Sequence, residues 1–252
     1  MHRAQIYVHN LIKPLTPGTK LSTIALNAAQ AARLRLALDV DALSYLYSGV
    51  VSIGDATQAI ERQFYSWATV KLYYALFYLS RALLAAHGTA VVYEGTKPFS
   101  WDSQAGATPT KRDGPTHKAV LSSYEATFPK SVLLSQPIDT TPALSWLMSR
   151  REEANYTRAR FSEPEVPAHF AIVARMGIRK VFAAYVRDGN YLYSFDQQHA
   201  MLALPVEALK LSLSEFSARA SPLQLNTVDR QYLASLFVDK SGPLADVVAL
   251  FK

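Results

Sequence analysis

The stretch RREEANYTRARF, Arg150 to Phe161, concentrates the side chains best suited to phosphate chemistry. Arg150, Arg151, Arg158 and Arg160 are permanently cationic, and each offers a planar fork of donors that matches two phosphate oxygens. Upstream, Leu144, Leu147, Met148 and Arg151 share one helical stripe, with Asn155 next along it at 3.6 residues per turn. Arg151 therefore continues an apolar face, and Arg150 points about 100° away around the helix. Glu152 and Glu153 are adjacent and leave the helix on different sides, which suits solvent better than a paired-carboxylate site.

Other chemistry has little support. The six histidines, His2, His9, His87, His117, His169 and His199, have no ligand spacing to one another, and cysteine is absent. No glycine-rich phosphate loop, HExxH or G-x-S-x-G elbow occurs. The expectation is no metal and no cofactor.

The elements that must position these groups read as helices. Leu21–Leu38 is rich in alanine and leucine, and a short helix follows Asp39 and ends at Ser52–Asp55. Asp55 then caps a long helix from Ala56 to His87, stopped by Gly88, with a break near Tyr65–Ser66. Phe64, Trp67, Tyr74 and Tyr78 recur along it at helical spacing and are assigned to the core. The segment from Gly88 to His117 lacks periodicity and reads as a long loop, and His117 opens another helix. Thr141 before Pro142 marks the start of the helix that carries Arg150 and Arg151. A helix from Pro167 to Arg187, a small hairpin or irregular link through Pro205 and three further helices complete the chain, and the first ten residues form a strand or an extended arm.

Half of the 252 residues are hydrophobic and 18% are charged, enough for a sizeable core and against wholesale disorder. The net charge is +6, and the window from Arg150 to Arg187 holds eight basic residues against four glutamates. That window suits a polyanion, or two solvated helix faces. The apolar run around Val70–Gly88 is interrupted by Lys71, Ser80 and Arg81 and reads as a core helix instead of a membrane span. A cytoplasmic protein without membrane partners is expected.

Three segments then resemble the HEPN proteins, a superfamily of α-helical RNases, toxins and nucleotide-binding domains. VKLYYALFYLSRALLAAHG is similar to their aromatic-rich central helix, PTHKAV at Pro115–Val120 to the entry of the next helix, and REEANY at Arg151–Tyr156 to their arginine motif. The resemblance covers roughly residues 40 to 160. It implies an all-α fold, a HEPN-like helical bundle at 41–164 with an arm and helix at 1–40 and additional C-terminal helices at 165–252. It also implies a homodimer, RNA or a nucleotide as ligand, and a partner protein of a toxin–antitoxin or antiviral defence system. In such a metal-independent endoribonuclease the catalytic set would be Arg151, Asn155 and Tyr156. Arg150, Arg158, Arg160 and His117 would bind RNA phosphate.

Tyr156 stands where the family motif carries histidine, and a phenol does not titrate near neutrality as imidazole does. An imidazole would have to come from elsewhere, from His117 or His169. Three readings stay open: a ribonuclease, a non-catalytic module that binds RNA, nucleotide or a partner, and a helical scaffold with a solvated basic surface.

Overall fold

A computed structural model describes residues 2–13, 20–157 and 159–251. The chain is mostly helical, with small antiparallel sheets. In order it forms α1 (Arg3–Ile12), α2 (Ala28–Glu61), α3 (Tyr65–His87), β1 (Thr89–Glu94), β2 (Lys97–Asp102), β3 (Thr110–Lys111) and α4 (Thr116–Thr127). Then come β4 (Pro137–Ile138), β5 (Thr141–Pro142), α5 (Ala143–Glu152), a π-turn at Glu153–Thr157, α6 (Ala171–Met176) and α7 (Ile178–Arg187). The chain closes with α8 (Ala200–Ser217), α9 (Thr227–Leu236), β6 (Val238–Asp239), β7 (Gly242–Pro243) and α10 (Ala245–Val248).

Contacts divide the chain into two compact units. The first comprises 1–45 and 80–129, and the second 46–79 and 130–252. The division crosses α2 and α3, so it does not follow consecutive stretches of sequence.

In the first unit the N-terminal segment is a helix instead of a strand or arm. Its start is held from a distance, because both carboxylate oxygens of Asp41 accept from the backbone of Arg3 (2.8 Å) and Ala4 (2.9 Å). These satisfy two of the N–H groups that a helix start leaves unpaired. The expected long loop after Gly88 is largely a three-stranded sheet. Its register sets Ala90 against Trp101 and Val92 against Phe99, all four buried. Ser100 and Thr89 are buried as well, which removes the polar–apolar alternation by which a strand is read.

In the second unit α2 runs straight through Gly49 and Gly54 instead of stopping at Ser52–Asp55. Its N-terminus, which belongs to the first unit, is a reciprocal cap of Asn27 and Gln30, in which each side chain accepts from the other's backbone N–H at 2.8 and 2.9 Å. The real break falls at Arg62–Phe64, where Gln63 takes φ 61°, and Asp55 pairs with Lys71 (2.9 Å). By length and composition α2 could cross a membrane, but half of its most apolar window is buried within the fold.

Beyond the π-turn, Gly177 (φ 84°) splits the expected single helix into α6 and α7. α8 starts before Pro205 and passes through it. Every residue from Ala200 to Leu209 is buried, and this burial outweighs the missing proline N–H. Arg179 pairs with Asp239 (2.6 Å) and Arg187 with Asp246 (2.6 Å). Part of the basic window thus serves to fasten the C-terminal segment.

Candidate functional site

α5 is buried through Ala143, Leu144, Trp146 and Leu147. That face orients the two arginines at its end. Arg151 continues it, as the stripe implies, and lies among tyrosine rings. Its guanidinium carbon is 5.6 Å from the Tyr73 ring centre, 5.7 Å from Tyr74 and 5.0 Å from Tyr156. Its Nη2 donates to the hydroxyls of Tyr74 (3.3 Å) and Tyr156 (3.4 Å). No carboxylate pairs with it among the described residues.

The π-turn decides which neighbour Arg151 meets. Regular α geometry would bring Asn155 beneath it, four residues on. The wider π-turn advances the contact to the fifth residue, so Tyr156 takes that place. Asn155 is half-buried and has no side-chain hydrogen bond among the described residues.

Arg150, about a quarter-turn away, faces different surroundings. A cavity of about 160 Å³ is lined by Arg150, Glu153 and Ala154 from the helix end. Arg160, Phe161 and Ser162 from the following loop, Pro167 to His169, and Ser66 and Thr69 from the start of α3 complete it. Arg150 pairs with Glu153 (2.9 Å) and lies 5.6 Å from the Trp146 ring centre. Its Nε is buried with no partner among the described residues. Arg160 is exposed, and no carboxylate among the described residues holds it.

His169 is set by its neighbours. Its Nε2 lies 2.9 Å from the hydroxyl of Thr69, and its ring packs 4.6 Å from Phe170 and 6.4 Å from Trp146, centre to centre. The loop is anchored by Glu163, whose carboxylate accepts from the backbone N–H of Ser66 (2.6 Å) and from its hydroxyl (2.8 Å). A carboxylate at the first turn of α3 also meets the positive end of the helix dipole.

Beside the cavity two aromatic rings are open to solvent. Trp67 is 49% exposed and Phe161 46%, and they meet edge to face at 5.7 Å. Phe64, 52% exposed, and Trp67 are therefore not core residues as their spacing suggests. Phe64 immediately precedes α3, and Trp67 lies in its first turn.

No family model, curated protein or solved structure matches this chain.

Of the sequence candidates, Arg150 and Arg160 come together, whereas Arg151 and Tyr156 form a separate pair. His117 lies on α4 in the first unit and does not line this cavity. Arg158 lies outside the described residues. His169 is the imidazole that joins the arginines, a choice that chain spacing could not make. Ser66, Thr69, Trp67 and Phe161 carried no motif signal.

The cavity combines two arginines, a histidine and three hydroxyls against one glutamate, a set suited to an anion. Its size narrows the choice. Enclosed sites for whole small molecules run to about 300–1,000 Å³. This one suits a single phosphate group with part of a sugar, as when a polymer lies across the surface.

Proposed function

We propose that this chain is a HEPN-like protein of a bacterial toxin–antitoxin or antiviral defence system. In this reading it acts in the cytoplasm as a metal-independent endoribonuclease and works as a homodimer. The observation that carries the reading is the joint lining of one phosphate-sized cavity by Arg150, Arg160 and His169. The cleft thus lies beside the arginine motif and uses Arg150, the residue just before it, in place of Arg151.

The two arginines hold the scissile phosphate and offset the charge that builds on its oxygens. His169 takes the proton from the RNA 2′-hydroxyl as that oxygen attacks phosphorus. The P–O5′ bond breaks, leaving a 2′,3′-cyclic phosphate, and the departing 5′-oxygen takes up a proton from the same residue of a second copy. Trp67 and Phe161 stack bases of a single strand, a contact that tolerates any sequence.

A second reading is a non-cleaving RNA-binding module. It is favoured by Tyr156, which occupies the motif's histidine position and is tied to Arg151.

Labelled single-stranded RNA incubated with the purified protein in EDTA separates the two. Cleavage to cyclic-phosphate ends is expected, reduced about 10²–10⁴-fold in His169→Ala with RNA affinity retained. Arg150→Ala with Arg160→Ala should lose affinity and flatten its salt dependence. Salt-sensitive binding without cleavage would establish the module, and no RNA binding at all would overturn both readings.

A further inference from the structure

The first unit holds a second cavity of quite different character. It measures about 350 Å³, within the range of sites that enclose a whole small molecule. Its wall is built from the ends of α3 and α4, Arg35 of α2, and the strands β1 to β3 with the loop that follows β2.

Its polar groups are held in place by the fold. Arg112 donates from Nε to the hydroxyl of Ser100 (2.9 Å), which fixes the guanidinium plane. Its two terminal nitrogens have no protein partner among the described residues. Arg35 is braced by Asp39 (3.3 Å) and by the carbonyl of Ala86 (2.5 Å). Gly88, at φ 103°, makes room for this arrangement. A Cβ there would stand 2.6 Å from Arg35 Nη1 and 2.7 Å from the Ser103 hydroxyl. Only glycine lets the backbone pass so close to both polar groups at the wall.

We propose that this cavity binds a small phosphorylated sugar. Arg112 and Arg35 supply fixed positive charge for a phosphate, with the planar fork of Arg112 presented to its oxygens. The carboxylate of Asp102 already accepts from Thr89 through Oδ1 (2.6 Å), and its second oxygen has no partner among the described residues. With Gln104 it provides acceptors for sugar hydroxyls. A nucleotide fits less well, because no tryptophan, tyrosine or phenylalanine lines the cavity and the His87 ring is packed edge-on against Phe128 at 5.1 Å. A lipid or other apolar ligand would leave the terminal nitrogens of Arg112 and the second carboxylate oxygen of Asp102 unanswered, at a cost of about 1–3 kcal/mol for each group it covers. The proposal stands independently of RNA cleavage.

Glucose 6-phosphate serves as the probe, titrated into the ¹⁵N-labelled full chain and followed by amide shifts and calorimetry. Glucose, inorganic phosphate and adenosine monophosphate are run in parallel. Shifts centred on Thr89, Ser100, Ser103 and Gln104 are expected, with affinity roughly ten-fold or more above that for phosphate or glucose alone. Arg112→Met should lower that affinity by about ten-fold or more, with the amide spectrum reporting that the variant is folded. The proposal is overturned by absence of binding, or by equal affinity for inorganic phosphate. Tighter binding of the nucleotide, or shifts confined to the Arg150–His169 region, would overturn it as well.

Discussion

The hydroxyl of Thr69 lies 2.9 Å from Nε2 of His169 and also donates to the carbonyl of Tyr65, 2.9 Å away. With its proton committed to the helix, the Thr69 oxygen accepts, so Nε2 of His169 carries the hydrogen. That contact sets the orientation of the imidazole at the cavity wall. Thr69 is accordingly a positioning residue. Thr69→Val should lower RNA cleavage about 10–100-fold and alter its pH profile, and Thr69→Ser should restore both. An unchanged rate and profile in the valine variant would remove Thr69 from the site.

Arg151 is expected to act on stability and Arg150, under the proposed function, on RNA binding. Its guanidinium is enclosed by Tyr73, Tyr74 and Tyr156, and its stem extends the apolar face of α5. Arg151→Ala should destabilise the protein by about 1–2 kcal/mol through lost cation–ring and packing contacts. Arg151→Met should recover the packing share. Urea denaturation of the two variants beside Arg150→Ala tests the separation. A loss of RNA affinity in Arg151→Ala as large as that in Arg150→Ala would return Arg151 to the site.

Trp67 and Phe161 make a prediction of their own, since exposed rings contribute little to the core. Trp67→Ala and Phe161→Ala should each weaken single-stranded RNA binding by about 1–3 kcal/mol per lost base stack, with little change in melting temperature. Double-stranded RNA, whose bases are already stacked, should bind the variants and the parent alike. Fluorescence anisotropy with both kinds of RNA reads the difference.

Gly54 sits inside α2 against Leu236, and an added Cβ would lie 2.6 Å from the Cβ of that leucine. Alanine is preferred over glycine in a helix by about 1 kcal/mol, but overpacking a close contact costs about 1–3 kcal/mol. Because the atom met is next to the backbone and cannot swing away, the packing effect wins. Gly54→Ala should be destabilising in a denaturation series. Gly189→Ala, with nothing within 4 Å, should be nearly neutral.

Acid should weaken the fold through His199 and His2. Burial holds both imidazoles below their usual 6.5, with Arg81 adding to the effect at His2. At His199 the ring also meets the Tyr185 hydroxyl at 2.7 Å. The unfolded chain therefore binds more protons as pH drops below 6.5, and stability is lost until the folded-state values are passed. Melting temperature should decline between pH 7.5 and 5, and His199→Gln should flatten part of that slope. An equally steep slope in the variant would assign the acid sensitivity to other groups.

Much of the helical architecture was legible in the residues alone. Composition marked α3 and its end at Gly88, the 3.6-residue stripe placed Arg151 on the buried face of α5, and His117 fell in the first turn of the helix it was expected to open. These features depend on neighbours within a few turns, where side-chain period and chain stereochemistry decide. By that same local logic Gly54 read as a stop and the β1–β2 segment as a loop. Both were decided by distant packing, Gly54 by Leu236 and the strands by burial of polar and apolar residues together.

The candidate site divides in the same way. The sequence by itself determined that four arginines cluster at and beyond the end of one helix and that two of them leave it in different directions. Only the tertiary structure decided that Arg150 meets Arg160 and His169 and that Arg151 is taken up by tyrosines. The physical reason is twofold. A π-turn shifts the contact of Arg151 from Asn155 to Tyr156, a change of helical pitch that composition does not reveal. The cavity itself closes only when the loop carrying Arg160 and His169 is tied to the start of α3 through Glu163 and Thr69, about a hundred residues away along the chain.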